Sequence, residues 1–420
     1  MNRSLRRLVP ALALLALVTR GGVTSAQTPH DHGSMPMPDS TSGWHLMQDG
    51  VVFAGWNHQG GPRGGDEFVA PNWWMGMASR DTSRGRLTFT GMLSLDAATL
   101  GRDGYREIFQ SGETLDGDPV IDRQHPHDLF MQLAVVWRMP VSSTTGFTIA
   151  GGPVGEPALG PVAFMHRASA GDNPAAPLAH HLLDSSHVAF GVVTAAVDHG
   201  PFVVEGSVFN GREPDDNRWD FDFGALDSFS GRLWYRPTAT WELQVSSGRL
   251  KDPEVLEPGN VIRTTASAQW TRVQADDVAS VTVAYGRNDT DHGSRNGVLV
   301  EGARQKGRTA FYGRFEVLQV ETSLLLTGEV PGHEPAQDPL AALTLGAARS
   351  LLRVHGFDGA IGTDVTFYAP ASALRPTYSS SPVSFHVFFR LRPPAGAMGR
   401  MWNMRMSQPM ARPGQAMTMD

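Results

Sequence analysis

Cysteine is absent from all 420 residues of the chain. The protein therefore has no disulfide framework, no thiolate metal site and no cysteine nucleophile. The chain also lacks an uninterrupted apolar run of the roughly 20 residues that a membrane-spanning helix needs. No segment after residue 26 repeats its apolar residues convincingly with the helical period of about 3.6. Any metal ion must be bound by His, Met, Asp or Glu, and the fold has to be built from strands.

The amino terminus has the pattern of a secretory signal peptide. Arg3, Arg6 and Arg7 precede the apolar run 8–18, and the small residues 24–26 offer a cleavage site. We expect residues 1–26 to direct export and to be removed. The net charge of -7 becomes more negative when these arginines are lost. An acidic chain of this kind excludes nucleic acid as an expected partner.

From about residue 51 onward, the sequence alternates apolar and polar residues in short segments that end at Gly, Pro, Asn, Asp or Ser. Phe385 and Val387, for example, alternate with His386 and Arg390. Because successive side chains of a strand point to opposite faces, each segment presents one apolar and one polar face. About fourteen segments, some of them weak, follow this strand pattern: 86–95, 128–139, 146–151, 187–198, 202–209, 229–236, 240–249, 262–272, 279–287, 297–303, 309–321, 340–350, 357–368 and 384–392.

Two all-β architectures compete, a soluble sandwich or propeller and an outer-membrane barrel. Aromatic strand ends such as 234–235, short connections alternating with long polar ones, and charges on the polar faces favour the barrel. We expect an antiparallel outer-membrane β-barrel of about twelve strands, with fourteen as the alternative, because bacterial barrels usually have even strand numbers. The expected order is a mobile His/Met-rich lead (27–50), the barrel (51–392) and a Met-rich tail (393–420).

Histidines with neighbouring carboxylates form the first candidate metal site. Six of the 15 histidines lie between residues 125 and 187, in "RQHPHD", "AFMHR" and "HHLLDSSH". Imidazole and carboxylate together are common ligands for zinc, copper or iron. Two of these stretches stand at the starts of candidate strands that lie close to each other along the chain. We therefore expect them to meet at one rim or in the lumen. The candidate ligands are His125, His127, Asp128, His166, His180, His181, Asp184 and His187.

Methionines at the two ends form the second candidate site. Seven of the 17 methionines follow residue 397, in a Pro-, Gly- and Arg-rich tail that we do not expect to form core. Thioethers are soft ligands, and exposed Met with His selects Cu(I) over harder ions. The candidate copper ligands are His30, His32, Met35 and Met37 in the lead and Met398, Met401, Met404, Met406 and Met410 in the tail.

The lead "HDHGSMPMP", after a signal peptide and before a barrel, resembles that of the outer-membrane copper-resistance protein B family. Members of that family place Met/His-rich segments in front of a barrel and help to handle excess copper in the envelope. The resemblance implies copper as the bound metal, and we expect periplasmic copper proteins as partners. The stretches "RQHPHDLFM" and "AFMHR" are similar to those of uncharacterised bacterial envelope proteins.

These features predict an outer-membrane barrel that handles soft transition metal, with copper the expected ion. The alternative is a general diffusion porin for small solutes, in which the histidines bond to Asp128 and Asp184 and anchor an inward loop. A lipid hydrolase using Ser186 and His187 is a third hypothesis. It lacks the G-x-S-x-G motif, and side chains so close along one strand would alternate faces and not converge. We therefore expect no enzyme activity.

Overall fold

The computed structural model describes residues 43–111, 113–256, 258–274, 277–291, 293–328, 337–354, 356–393 and 402–408. These residues form one large antiparallel sheet and two small hairpin-like pairs. Among them, no helix is long and apolar enough to span a membrane. Apart from short helical turns, the described part of the chain is all β, as the alternation predicts.

Twenty-one strands follow one another along the chain. They are β1 (His45–Gln59), β2 (Gly65–Val69), β3 (Asn72–Thr82), β4 (Gly85–Leu93), β5 (Tyr105–Arg106), β6 (Glu113–Leu115), β7 (Asp118–Val120), β8 (Arg123–Gln124), β9 (Phe130–Pro140), β10 (Thr145–Gly155), β11 (Ala189–His199), β12 (Phe202–Phe209), β13 (Ser228–Tyr235), β14 (Trp241–Lys251), β15 (Asn260–Gln274), β16 (Asp277–Thr290), β17 (Gly293–Lys306), β18 (Thr309–Glu321), β19 (Gln337–Val354), β20 (Phe357–Pro370) and β21 (Val383–Arg392).

The large sheet closes on itself to form a barrel. Each strand from β9 to β21 pairs with the next, β4 joins β3 to β9, and β1 pairs with both β3 and β21. The closing register runs from Val52 opposite Leu391 to His58 opposite Phe385. The short strand β2 continues the pairing of β1 beyond the start of β3. A closed barrel satisfies all strand backbone groups internally, as lipid requires.

The expected strand number is wrong, because the barrel has 16 strands and not twelve or fourteen. Every alternating segment found in the sequence is a barrel strand, and β1 and β3 precede them. Their alternation is hidden because their inner faces are also partly apolar. Phe53 of β1 and Trp73, Met75 and Met77 of β3 are buried on the lumen side. The missed strands are therefore those that face apolar material inside the barrel.

Polar and apolar residues divide between the two faces of the wall. In β12, Phe202, Val204 and Val208 are exposed on the outer face, whereas Glu205 and Ser207 are buried inside. The outer faces of the other strands also carry exposed apolar side chains, so the outer surface is an apolar band suited to lipid. The protein is an outer-membrane β-barrel.

The two ends of the barrel differ. Short turns such as 83–84, 200–201 and 307–308 lie at one end, together with the start of β1 and the end of β21. Most connections at the other end are long, above all 94–129 and 156–188. Bacterial barrels place short turns in the periplasm and long loops outside. We refer to the long-connection end as the outer end.

Segments from both ends fill the lumen. The connection 94–129 carries α1 (Asp96–Thr99) and β5 to β8, and 156–188 carries α2 (His180–Leu183) between 3₁₀ turns at Phe164–His166 and Ser185–His187. The outer connections after β18 and β20 carry α3 (Thr322–Thr327) and α4 (Arg375–Tyr378). Buried residues of these connections pack into one apolar cluster near the outer end: Ile108, Phe109, Leu182, Leu325, Leu374 and Tyr378.

Residues 402–408 of the carboxyl-terminal tail lie inside the barrel. Met404 and Met406 are 5% and 1% exposed, and each belongs to an apolar cluster with residues of the wall. The prediction that the tail forms no core is wrong for these residues. The signal segment, residues 27–42 of the lead and most of the tail lie outside the described residues.

Candidate functional site

Five of the predicted histidines meet inside the barrel near its outer end. His125 and His127 come from the connection 94–129, and His180, His181 and His187 come from 156–188. The ring centroids are 6.1 Å apart for His125 and His181, 5.6 Å for His127 and His187, and 5.1 Å for His180 and His187. The two stretches therefore meet inside the barrel, one of the two places expected from their positions before two nearby strands, β9 and β11. We call these five residues the histidine cluster.

Three rings of the histidine cluster are held through Nδ1. His127 Nδ1 lies 2.8 Å from Asp96 Oδ2, His180 Nδ1 lies 2.6 Å from Asp184 Oδ1, and His187 Nδ1 lies 2.8 Å from the Asp184 carbonyl oxygen. These partners place the proton on Nδ1 and leave Nε2 as the acceptor. The Nε2 atoms of His127 and His187 are buried and have no hydrogen-bond partner among the described residues. A carboxylate or carbonyl partner at Nδ1 orients histidines that bind a metal ion through Nε2. The same hydrogen bond also anchors a loop in a protein without a metal ion.

A buried ion-pair network connects the histidine cluster to the barrel wall. Arg167 Nη1 lies 2.5 Å from Asp184 Oδ2, and Arg167 Nε lies 2.6 Å from Glu301 Oε1 on the wall strand β17. Burial would raise the pKa of Asp184, but the Arg167 guanidinium holds that pKa well below its usual range. Burial lowers the pKa of His180 to about 4, although Asp184 opposes the shift. His180 is therefore neutral near pH 7 while its partner is ionised.

Asp128 binds an arginine. Its Oδ2 lies 3.4 Å from Arg218 Nη1, and Arg218 Nη2 lies 2.9 Å from Glu113 Oε2. The other oxygen of Glu113 lies 3.2 Å from His125 Nδ1. Burial raises the pKa of Asp128 to about 7. Asp128 thus lies at the edge of the histidine cluster. Its contact with Arg218 connects this region to the connection 210–227.

His181 faces two carboxylates that the sequence does not single out. Its Nδ1 lies 3.4 Å from Glu213 Oε1 and 3.5 Å from Glu254 Oε1. Burial alone would lower the pKa of His181, but Glu213 and Glu254 raise it to about 10. In the protein without a bound cation, His181 is therefore an imidazolium between two acids.

His166 lies apart from the histidine cluster, contrary to its inclusion among those ligands. Its ring meets the edge of Trp73 at a centroid distance of 5.2 Å. Trp73 belongs to an apolar cluster that includes six buried methionines, which we call the methionine cluster: Met75, Met77, Met92, Met131, Met165 and Met404. Four of these methionines lie on β3, β4 and β9. Only the alternation of residues along these mainly apolar strands could have indicated that their side chains point into the barrel. Met406 packs separately, with Ala150, Val192 and their neighbours.

The other predicted soft-metal ligands lie outside the described residues. They are His30, His32, Met35, Met37, Met398, Met401 and Met410.

Ser186 and His187, the residues of the hydrolase hypothesis, make no hydrogen bond with each other: Ser186 Oγ and His187 Nε2 are both buried and have no hydrogen-bond partner among the described residues. The Asp184 carboxylate binds Arg167 and His180, and His187 Nδ1 faces the Asp184 carbonyl oxygen. Arg263 Nη1 donates to Ser185 Oγ at 2.9 Å. In a catalytic triad the carboxylate holds the histidine that activates the serine. This arrangement is different and gives a hydrolase no support.

Gly286 of β16 allows α2 to rest directly on the wall. A Cβ atom at this position would lie 2.2 Å from the Leu182 carbonyl oxygen. We expect Gly286→Ala to push α2 and its histidines off the wall and to lower the free energy of unfolding by about 1–3 kcal/mol. Urea unfolding in detergent micelles measures the loss. Gly231→Ala is the control, because its Cβ would have 3.8 Å to the closest atom. Equal losses in the two variants would contradict the close packing of α2.

Comparisons with known proteins identify the fold. No family model and no curated protein matches the sequence. The chain is similar to OprB from Pseudomonas putida in its high-pH structure, with 11% identity over 84% of this chain and 94% of that chain and a TM-score of 0.52. It is also similar to an anion-selective porin from Comamonas acidovorans, with 10% identity over 83% of this chain and 100% of that chain and a TM-score of 0.48.

At this level of identity, the likeness is one of fold. The likeness to OprB agrees with the closed barrel. The resemblance to the copper-resistance protein B family gains no support from these comparisons.

Proposed function

We propose that the protein is a narrow outer-membrane channel for small polar solutes, whose own inward segments set the size limit. The observation that carries the proposal is the set of polar contacts between these segments and the wall, which lie beside several apolar clusters. Inward-facing charges on the strands line the lumen, as in pores that select by charge and size.

Hydrogen bonds and ion pairs hold residues 156–188 against the barrel wall. Ser246 Oγ accepts a hydrogen bond from the Gly160 amide at 2.9 Å, and Glu316 Oε1 accepts one from the Ala179 amide at 3.0 Å. Arg392 Nη2 lies 2.9 Å from Asp172 Oδ1. Separating the buried Arg392–Asp172 ion pair costs more, whereas water can replace the two hydrogen bonds at modest cost. Small displacements of the connection would therefore open a hydrated path.

Space remains beside the inward segments. A cavity of about 60 Å³ lies between β1, β3 and the two long connections, and Trp73, Asp96, Tyr105 and His127 are among its lining residues. This cavity reaches the histidine cluster. It is far smaller than the open lumen of a wide porin, and for this reason we propose a narrow channel in place of the general diffusion porin.

Liposome swelling with solutes of graded size tests the proposal. Vesicles that contain the purified protein should swell with the smallest amino acids and sugars and should exclude disaccharides. Vesicles without protein are the control. Exclusion of every solute would refute the channel, and equal entry of disaccharides would refute its narrowness.

Handling of a soft metal ion is a second candidate function, and the methionine cluster favours it. Thioethers bind Cu(I), and the interior of a water-filled barrel is normally polar. Periplasmic copper proteins could then act as partners at the short-turn end. We expect Met75→Leu with Met131→Leu, which conserve volume, to weaken Cu(I) binding in a competition assay against a chromophoric chelator. Unchanged binding would assign the methionines to packing alone.

A further inference from the structure

His181, Glu213 and Glu254 come from three different outer connections and meet beside the lumen. We propose that these three side chains bind a divalent metal ion of the zinc class. This goes beyond the proposed channel and uses ligands other than the methionine cluster. The potential ligand atoms of the three residues all lie within 4.8 Å of one another.

The spacing fits a metal ion better than it fits hydrogen bonds. The distances of 3.4 Å and 3.5 Å from His181 Nδ1 to the two carboxylate oxygens exceed the usual 2.7–3.2 Å of N–H···O bonds. His181 Nδ1 is buried and makes no hydrogen bond with the described residues. Two ligands that each lie about 2.1 Å from one tetrahedral zinc ion are roughly 3.4 Å apart. The observed separations match this value.

The donor set selects the class of ion. One imidazole and two carboxylates form a borderline-to-hard set, which suits Zn²⁺ and similar divalent ions. It contains no thioether, so it does not favour Cu(I). When both glutamates are ionised, their charges also balance that of a divalent ion.

The three ligands are held in place before any ion binds. The Glu213 amide donates to the Pro253 carbonyl oxygen at 2.9 Å, which joins the two connections that carry the glutamates. Asn288 Nδ2 donates to the His181 carbonyl oxygen at 3.2 Å, and α2 rests on β16 at Gly286. The ligand side chains are 13%, 16% and 6% exposed. An ion at this site would exchange little with water and would fasten three outer connections together.

A small cavity lies next to Glu213, and neither His181 nor Glu254 is among its lining residues. This cavity of about 10 Å³, with Ser186, Glu213 and Arg263 in its lining, has space for about one water molecule. Three protein ligands and one water form a frequent zinc arrangement. Arg263 and Arg295 influence Glu254 electrostatically, so a plain ion-pair group without metal is the competing outcome.

Zinc titration of the folded protein tests the site. The purified chain in detergent is first treated with a chelator and then titrated with Zn²⁺ against a chromophoric chelator. We expect one ion per chain, and binding weakened by more than roughly tenfold in Glu213→Gln and in Glu254→Gln. Asp215→Asn with Asp222→Asn is the matched control, because these carboxylates form a largely exposed acidic group in the connection that carries Glu213. The control should bind zinc as the unaltered protein does.

Spectroscopy and a second ion complete the design. X-ray absorption of the zinc-loaded, unaltered protein should show nitrogen and oxygen neighbours with an imidazole signature and no sulfur, a result that needs no variant to fold. Cu(I) binding that survives Glu213→Gln belongs to the methionine cluster. Zinc affinity equal in the unaltered protein and both glutamine variants, or absent from all of them, overturns the proposal and leaves an ion-pair group.

Discussion

Replacing Arg167 with methionine is expected to lower the free energy of unfolding by about 3–5 kcal/mol, because it removes the cation that two buried carboxylates share. Asp184 loses its arginine, whereas Glu301 keeps Arg314 at 3.2 Å. The side chains of Arg167, Asp184 and Glu301 are 0%, 2% and 1% exposed. Methionine retains much of the volume of the stem, so the loss reports mainly on charge. Asp184 also orients His180, and the histidine cluster should loosen with it.

Urea unfolding in detergent micelles, followed by tryptophan fluorescence, measures this loss. Arg102→Met is the matched control, because Arg102 pairs with Asp116 at the surface, where both side chains are mostly exposed. Its unfolding midpoint should not change, since exposed ion pairs contribute little. A midpoint for Arg167→Met equal to that of the control would show that the connection 156–188 does not occupy the lumen as described.

Removal of the tail segment should raise ion conductance several-fold. Residues 402–408 contact the wall near the short-turn end. The Arg405 guanidinium lies 3.9 Å from the centre of the Trp234 ring, Gln269 Nε2 donates to Asn403 Oδ1 at 2.6 Å, and Ser407 binds Glu205. A chain that lacks residues 402–420 exposes these wall groups to water and widens the path. Single-channel currents in planar bilayers measure the change.

A chain that lacks only residues 409–420 is the control, because it retains the segment described inside the barrel. Its conductance should match that of the full chain. If both truncated chains carry the same current as the full chain, the tail does not limit the pore. The outer connections alone would then set the size of the pore.

Alternation along the sequence predicted most of the wall, and its failures have a physical cause. Segments such as 202–209 face lipid on one side and polar groups on the other, so their period of two is visible. β1 and β3 face the methionine cluster and nearby apolar side chains, so both of their faces are partly apolar. Whether a strand shows a period of two depends on which residues pack against its inner face. In this barrel those residues come from distant parts of the chain, so the sequence of the strand alone does not reveal them.

The histidine cluster was partly predictable. His125 and His181 precede β9 and β11, which begin at the same end of the barrel and are separated only by β10, so their meeting follows from topology. Glu213 and Glu254 lie in later connections, and ordinary acidic residues in polar loops carry no signal of inward position. The burial of Met404 likewise depends on the path of the tail through the lumen, which its Pro- and Gly-rich composition does not indicate.

The most direct test of the account asks whether water reaches the wall. The chain has no cysteine, so Ser246→Cys introduces a single thiol on the lumen face, under the connection 156–188. Its reaction with a charged thiol reagent is compared with that of Ser142→Cys in an exposed turn. A filled lumen predicts slow labelling of the first thiol and rapid labelling of the second. Equal rates would contradict a lumen narrowed by its own chain and would indicate a wide, water-filled pore.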